Sequence, residues 1–224
     1  TDDSGHVIVV RVCSDEGERG LAAKAVVIAC GGFEGAHDML AEHLGPRGTE
    51  MPLIAPTLVN NRGDGIRLTA PLGGDVAGQF DMFHGEPVDT RTDKPDAVIY
   101  GYPFGIIVNK HCQRFFDEGQ DSFDSTFERL GYEIWAHQDQ QAWFIGEKAI
   151  LDWPSVADIM LTDMPPVEAD TLAELAPKFG LDADALVATV RQYNAAMQPG
   201  ATDRAIRDGK RTEGIDPPKS HWAT

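Results

Sequence analysis

The chain is short of cysteine, of basic residues and of long apolar runs, and each shortage closes off a class of function. Its three cysteines, Cys13, Cys30 and Cys112, are odd in number and far apart. They form neither a disulfide framework nor a C-x-x-C zinc pattern, and a reducing, cytoplasmic compartment fits them best. The seven histidines are equally scattered; His37 and His43 share an expected helix but lie six apart rather than four, which is no metal pair. Only 19 Lys and Arg stand against 36 Asp and Glu, a net charge of −17. Nucleic acid and anionic membrane are therefore poor partners, because counterion release needs the cations that are missing. No apolar run approaches the roughly 18–20 residues that span a bilayer. An initiator methionine is also absent: the sequence opens at Thr1 as though inside an element, which predicts either a processed or tagged product or a piece of a longer protein.

What is present is a globular composition. Of 224 residues, 42% are hydrophobic and 25% are charged, which is enough for a sizeable core in one large or two small domains. Residues 6–13 and 23–30 are rich in β-branched side chains and read as strands, the second continuous enough to be buried on both faces. Gly31-Gly32 follows at once. Phe33, Met39, Leu40 and Leu44 then recur at helical spacing up to a stop at Gly45. A short amphipathic helix is expected around Ile66–Leu72. Residues 104–109, a turn at 110–113 and residues 114–118 read as a β-hairpin, and residues 141–147 as a further strand. Towards the C-terminus, Thr171 and Glu174 make a capping box, Gly180 ends that helix, and Asp182 caps the next. In that last helix Leu186, Val190, Tyr193 and Met197 form one apolar stripe, which is core packing.

Taken singly, the chemistry-bearing residues have bland readings. Gly31-Gly32 after a strand can bring backbone close to a ligand, but such a pair is more often a packing turn. Asp64-Gly65 is usually a helix cap. His84 in a loop is more often a surface histidine than a catalytic one. Arg114, Asp117 and Glu118 at a hairpin end read as a solvated charge cluster.

Their order and spacing say more. KAVVIACGGFEG, NRGDGIRLTAPLGG, GQFDMFHGEPVD and GIIVNKHCQRFFDEGQD together resemble the flavoprotein family of fumarate reductases and 3-ketosteroid dehydrogenases, with the tricarballylate dehydrogenase branch nearest. The helical stretch at 170–200 and PPKSHWA near the end resemble the same family. The resemblance implies an FAD-dependent oxidoreductase that passes a hydride between flavin N5 and a carbon of a small polycarboxylate or steroid-like substrate. The flavin supplies the redox chemistry and the protein the orientation and electrostatics. It implies that Gly31 and Gly32 lie close to FAD, that Asp64 touches the cofactor, and that His84, here in His84-Gly85-Glu86-Pro87, holds a substrate carboxylate.

Departures from the family pattern narrow the expectation. Fumarate reductases carry a Thr-Glu-x-x-Arg proton relay where residues 95–104 have neither Arg nor Glu, and a catalytic arginine where this chain has Ser122. A serine cannot replace an arginine that donates a proton while stabilising a carboxylate. Dehydrogenation is thus favoured over fumarate reduction, with Tyr102 as the candidate for proton transfer. The N-terminal G-x-G-x-x-G fingerprint and the C-terminal glycine-rich FAD segment are both missing, so the chain reads as the middle of such an enzyme. The fold expected is α+β: residues 1–34 are strands of a split FAD-binding domain. Residues 35–224 form a substrate-capping domain with a small antiparallel sheet and packed helices. Alone it is expected to be inactive and to bind FAD weakly or not at all. The other reading is a non-catalytic module that self-associates through the exposed edge of residues 23–30.

Overall fold

A computed structural model describes the whole chain, Thr1–Thr224, apart from the side chain of Ser155. It divides into two compact units, Thr1–Met82 and Phe83–Thr224; the expected boundary after residue 34 falls inside the first.

In the first unit, β1 (Val9–Ser14) and β2 (Gly17–Ala22) form an antiparallel hairpin registered from Val9↔Ala22 to Ser14↔Gly17. Gly17, at φ 111, takes up the turn conformation that a side chain would resist. The strand expected at 23–30 does not form. A strand exists through its ladder, and the local hairpin engages residues 17–22 instead, so the β-branched run beyond it has no partner. Val26, Val27 and Ile28 stay exposed, Val27 at 87%, which corrects the expectation of burial on both faces. Next comes α1 (His37–Leu44), which buries Met39 and Leu40 and is ended by Gly45 at φ 77. Then α2 (Asp64–Thr69) runs on into a 3₁₀ turn at Ala70–Leu72, much as the pattern around Ile66–Leu72 suggests.

The second unit holds a mixed core. Its β3 (Ile106–Val108) is buried throughout and pairs antiparallel with β4 (Trp143–Ile145), with α3 (Phe123–His137) between them in sequence. The expected hairpin partner, residues 114–118, contributes only a single bridge from Arg114 to Val108. The reason is chemical: the Glu118 carboxylate accepts the Ile107 N–H at 2.8 Å, so a side chain replaces the backbone ladder there. The turn itself forms, with Asn109 Oδ1 accepting the N–H groups of His111 and Gln113.

Three further helices precede the end of the unit. They are α4 (Pro154–Ala157), α5 (Leu172–Leu175) and the longer α6 (Ala183–Ala196). Thr171 Oγ1 accepts the Glu174 N–H and Asp182 Oδ1 accepts the Ala185 N–H, so both caps form where the sequence places them. α6 buries Leu186 and Tyr193 against Ile106, Val108 and Cys112. α3 packs Leu130, with Phe123, Phe127 and Ile134, against Tyr102, Ile107 and Phe116. The architecture is thus helices on small antiparallel sheets. Among the described residues no helix is long and apolar enough to cross a membrane.

Candidate functional site

In the first unit, two glycine turns meet. The Gly63 N–H donates to the Gly32 carbonyl at 3.0 Å, and the Gly35 N–H to the Asn61 carbonyl at 2.8 Å. This stitches Gly31-Gly32 to the start of α2, where Asp64 is exposed in the first turn. Gly31 (φ 83) and Gly63 (φ 72) are left-handed, and Cβ atoms at Gly63 and Gly65 would strike Met39 and Ile28. These turns therefore require glycine. Gly31, Gly32 and Asp64 are brought onto one small surface.

That surface fits part of FAD. The exposed Asp64 carboxylate can accept hydrogen bonds from the hydroxyl-bearing chain of a flavin. The surface does not suit the pyrophosphate, because the Glu34 carboxylate lies where a Gly32 side chain would sit and would repel the phosphates.

In the second unit, His84 is set on the flank of α3. Its ring meets Phe127 edge-on at 5.4 Å, and its Nδ1 is hydrogen-bonded to Glu128 Oε1. Nε2 lies 3.6 Å from Glu86 Oε1, within ion-pair range. Tyr100 donates its hydroxyl to that same Glu86 oxygen at 2.9 Å and stacks on Phe123 at 4.7 Å. Burial and the adjacent Glu86 carboxylate both raise the Tyr100 phenol above its ordinary range, keeping the proton on oxygen. Glu86 Oε2 is buried without a hydrogen-bond partner among the described residues.

Tyr102 is placed differently. It is fully buried, with its hydroxyl 2.6 Å from Thr126 Oγ1 and 3.2 Å from the Phe123 carbonyl. Burial raises its phenol as well. Tyr102 thus ties β3's leading turn to the first turn of α3, while Tyr100, two residues earlier, adjoins His84. The region near Ser122, where the sequence offers no local arginine, does receive one from elsewhere. Arg207 pairs with Asp121 at 3.1 Å across 86 residues of chain.

The second unit also holds a buried ionic network that corrects the reading of Arg114 and Glu118 as solvated. Both are buried. Arg114 donates to both Glu118 oxygens and to the carbonyls of Pro217 and Pro218. Lys219, also buried, donates its ammonium to the Gly105 carbonyl. Desolvation brings the Lys219 ammonium down to about 8 despite the pull of Glu118. Asp117 accepts the N–H of Ser220 at 2.9 Å. Two cationic donors and two carboxylates thus fasten the C-terminal segment to the region around β3. Among the described residues no cluster of His, Cys, Asp or Glu is arranged to hold a metal, and the three cysteines are free thiols.

Comparison with known proteins gives the family. Residues 2–223 match the FAD binding domain family, and the chain belongs to it. FAD is the cofactor of that family, and its relatives here are dehydrogenases and reductases. The chain is 32% identical over 211 residues to the 4-oxocyclohexanecarboxylate 2-dehydrogenase of Sinomonas cyclohexanicum, matching 89% of this chain and 36% of that one. It is 31% identical over 198 residues to a 3-oxosteroid 1-dehydrogenase of Mycobacterium tuberculosis, matching 81% of this chain and 34% of the relative. Among solved structures it is similar to the 3-ketosteroid-Δ4-(5α)-dehydrogenase of Rhodococcus jostii, with a TM-score of 0.60 and 27% identity. That match covers 87% of this chain and 38% of the other. The chain spans about a third of the length of these relatives.

Proposed function

We propose that this chain is the substrate-facing part of an FAD-dependent dehydrogenase that desaturates a C–C bond beside a ketone. The observation that carries this reading is His84: an exposed imidazole held from two sides by Glu128 and Glu86, next to the Tyr100 hydroxyl. FAD, when bound, would supply the hydride acceptor. Gly31, Gly32 and Asp64 are assigned to contacts with it. His84 donates a hydrogen bond to the substrate carbonyl oxygen, which withdraws electron density and acidifies the adjacent C–H bond. The Tyr100–Glu86 pair, rather than the enclosed Tyr102, is assigned to proton transfer; Tyr102 positions α3. Residues 1–34 are assigned to the FAD-binding domain and the second unit to the substrate cap. A cytoplasmic location is part of this proposal, supported by three cysteines that are odd in number and too far apart in sequence for a disulfide framework.

The substrate class follows from local charge. A polyanion such as tricarballylate, expected from the sequence resemblance, meets two carboxylates at His84 and is repelled. A ketone with at most one carboxylate meets less repulsion, and the two ketone-acting relatives support it. The arginine near Ser122, Arg207, is neutralised by Asp121, which favours dehydrogenation over fumarate reduction.

The test is turnover by the full-length, FAD-loaded protein with an artificial electron acceptor. Oxidation of 4-oxocyclohexanecarboxylate or a 3-oxosteroid is expected. Turnover of tricarballylate alone would replace the ketone reading with the polycarboxylate one.

A further inference from the structure

We infer that Gly131 of α3 is a positioning residue: by carrying no side chain it seats residues 83–86 on the helix, and so sets where the His84 ring stands relative to the Tyr100 hydroxyl. The inference rests on His84 and Tyr100 acting at the substrate, as proposed above, and adds the residue that fixes their spacing.

The loop lies along one face of α3. Phe127, Gly131 and Trp135 are spaced four apart, and Glu128 and Tyr132 run beside them. Towards the start of the helix, the His84 ring meets Phe127 edge-on at 5.4 Å and its Nδ1 is hydrogen-bonded to Glu128. Towards its end, Phe83 meets Trp135 edge-on at 5.1 Å and Tyr132 at 5.8 Å. Gly131 is the buried floor between them. A Cβ there would stand 2.8 Å from the Gly85 carbonyl carbon, 2.9 Å from its oxygen and 3.0 Å from the Glu86 nitrogen. Ordinary contact begins at 3.4 Å, and all three neighbours are backbone, which cannot swing aside as the end of a side chain can. The loop itself would have to lift. The helix supplies no other reason for this glycine. Gly131 is not among the left-handed residues, and alanine would serve a helix interior better.

Lifting the loop matters because its other side is also held. Glu86 Oε1 accepts the Tyr100 hydroxyl at 2.9 Å, and the Ile99 N–H donates to the Pro87 carbonyl at 2.9 Å. Residues 84–87 therefore bridge α3 to the segment that carries Tyr100, and the closeness of the contact at Gly131 sets the height of that bridge. Two groups that must meet one substrate tolerate little error, since a displacement of about 1 Å can slow a reaction by about 10²-fold.

The experiment places Gly131→Ala in the full-length, FAD-loaded protein. Anaerobic flavin reduction by saturating 4-oxocyclohexanecarboxylate is measured beside thermal melts and the 15N signals of the histidine rings. The His84 signals are identified by their loss in His84→Phe. Gly131→Ala should slow flavin reduction by about 10- to 100-fold and displace the His84 ring signals. Leu186→Ala, in the α6 core away from α3, is the comparison. It should lower the melting temperature, yet below that temperature it should keep the parent rate and the His84 signals in place. Reduction at the parent rate in Gly131→Ala, or unmoved His84 signals, would overturn the inference. So would an equal loss of rate in Leu186→Ala, which would make the effect one of general stability. Flavin reduction at the parent rate in His84→Phe would instead sink the reading of His84 itself, whatever Gly131→Ala does.

Discussion

The two units of this chain solve the burial problem to very different extents. Phe83–Thr224 has three hydrophobic clusters, a buried Arg114–Glu118 pair and a buried lysine. Thr1–Met82 buries Ala36, Met39 and Leu40, while Val7, Ile8, Val9, Leu21, Val26, Val27 and Ile28 all stand exposed. The same β-branched richness thus gives a core in one place and an uncovered surface in the other. Side-chain type sets what can be buried; partners decide whether it is. The paired glycine turns lie in the thinly packed unit, and His84 stands on the well-packed one, where Phe127 and Glu128 of α3 hold its ring.

The sharpest way to break this comparison is at the ionic network. Glu118→Ala leaves Arg114 and Lys219 as buried cations without their carboxylate, and is expected to cost about 3–5 kcal/mol in urea denaturation. A cost below about 1 kcal/mol would mean that the network does not hold the second unit together. A matched pair of substitutions comes next. Leu186→Ala, in the α6 core, should cost about 2–5 kcal/mol, whereas Val27→Ser, at an exposed position, should change stability by no more than about 0.5 kcal/mol. The serine should also reduce any self-association seen by light scattering, because Val26, Val27 and Ile28 form an exposed apolar patch. Equal costs at the two sites would erase the distinction between the units.

The smallest effects are in pH. Lys219 has its ammonium lowered from 10.5 to about 8 in the fold. The folded chain therefore releases this proton first, and stability should rise as pH climbs from about 8 through 10.5. Lys219→Met should flatten that rise. Asp89 runs the other way: the Arg91 guanidinium and the Thr162 hydroxyl hold it at about 2 against an ordinary 3.8. Its contribution, on the order of 1 kcal/mol after allowance for solvent screening, is present above pH 3.8 and lost as pH falls towards 2. Asp89→Asn should remove that acid-side slope, as read from thermal melts across pH.

Local chemistry was legible in the sequence wherever it acts over a few residues. The caps at Thr171 and Asp182, the stop at Gly45 and the strand at 143–145 all follow from short-range rules. α3 is absent from the expected elements, although Ser122 before Phe123, Phe127, Leu130 and Ile134 carries a helical period that marks it. What depends on long-range pairing was not legible. Residues 23–30 read as a buried strand because continuity of apolar side chains says nothing about whether a ladder partner exists. Glu128 meets His84 across 44 residues, and Arg207 meets Asp121 across 86. The burial of Arg114, Glu118 and Lys219 was hidden for a related reason: charge predicts exposure unless a partner is known. The candidate cofactor glycines and His84 came from the order of the motifs along the chain, and the fold shows how the glycine turns meet.

The most direct measurement is anaerobic reduction of the flavin in the full-length, FAD-loaded protein by a ring ketone such as 4-oxocyclohexanecarboxylate, in the parent and in His84→Phe. Loss of the oxidised flavin's visible absorbance is expected in the parent, slowed by about 10²-fold or more in the variant, the usual scale for losing a hydrogen-bond donor to a developing oxyanion. Flavin reduction at the parent rate in His84→Phe would contradict the placement of substrate at this histidine.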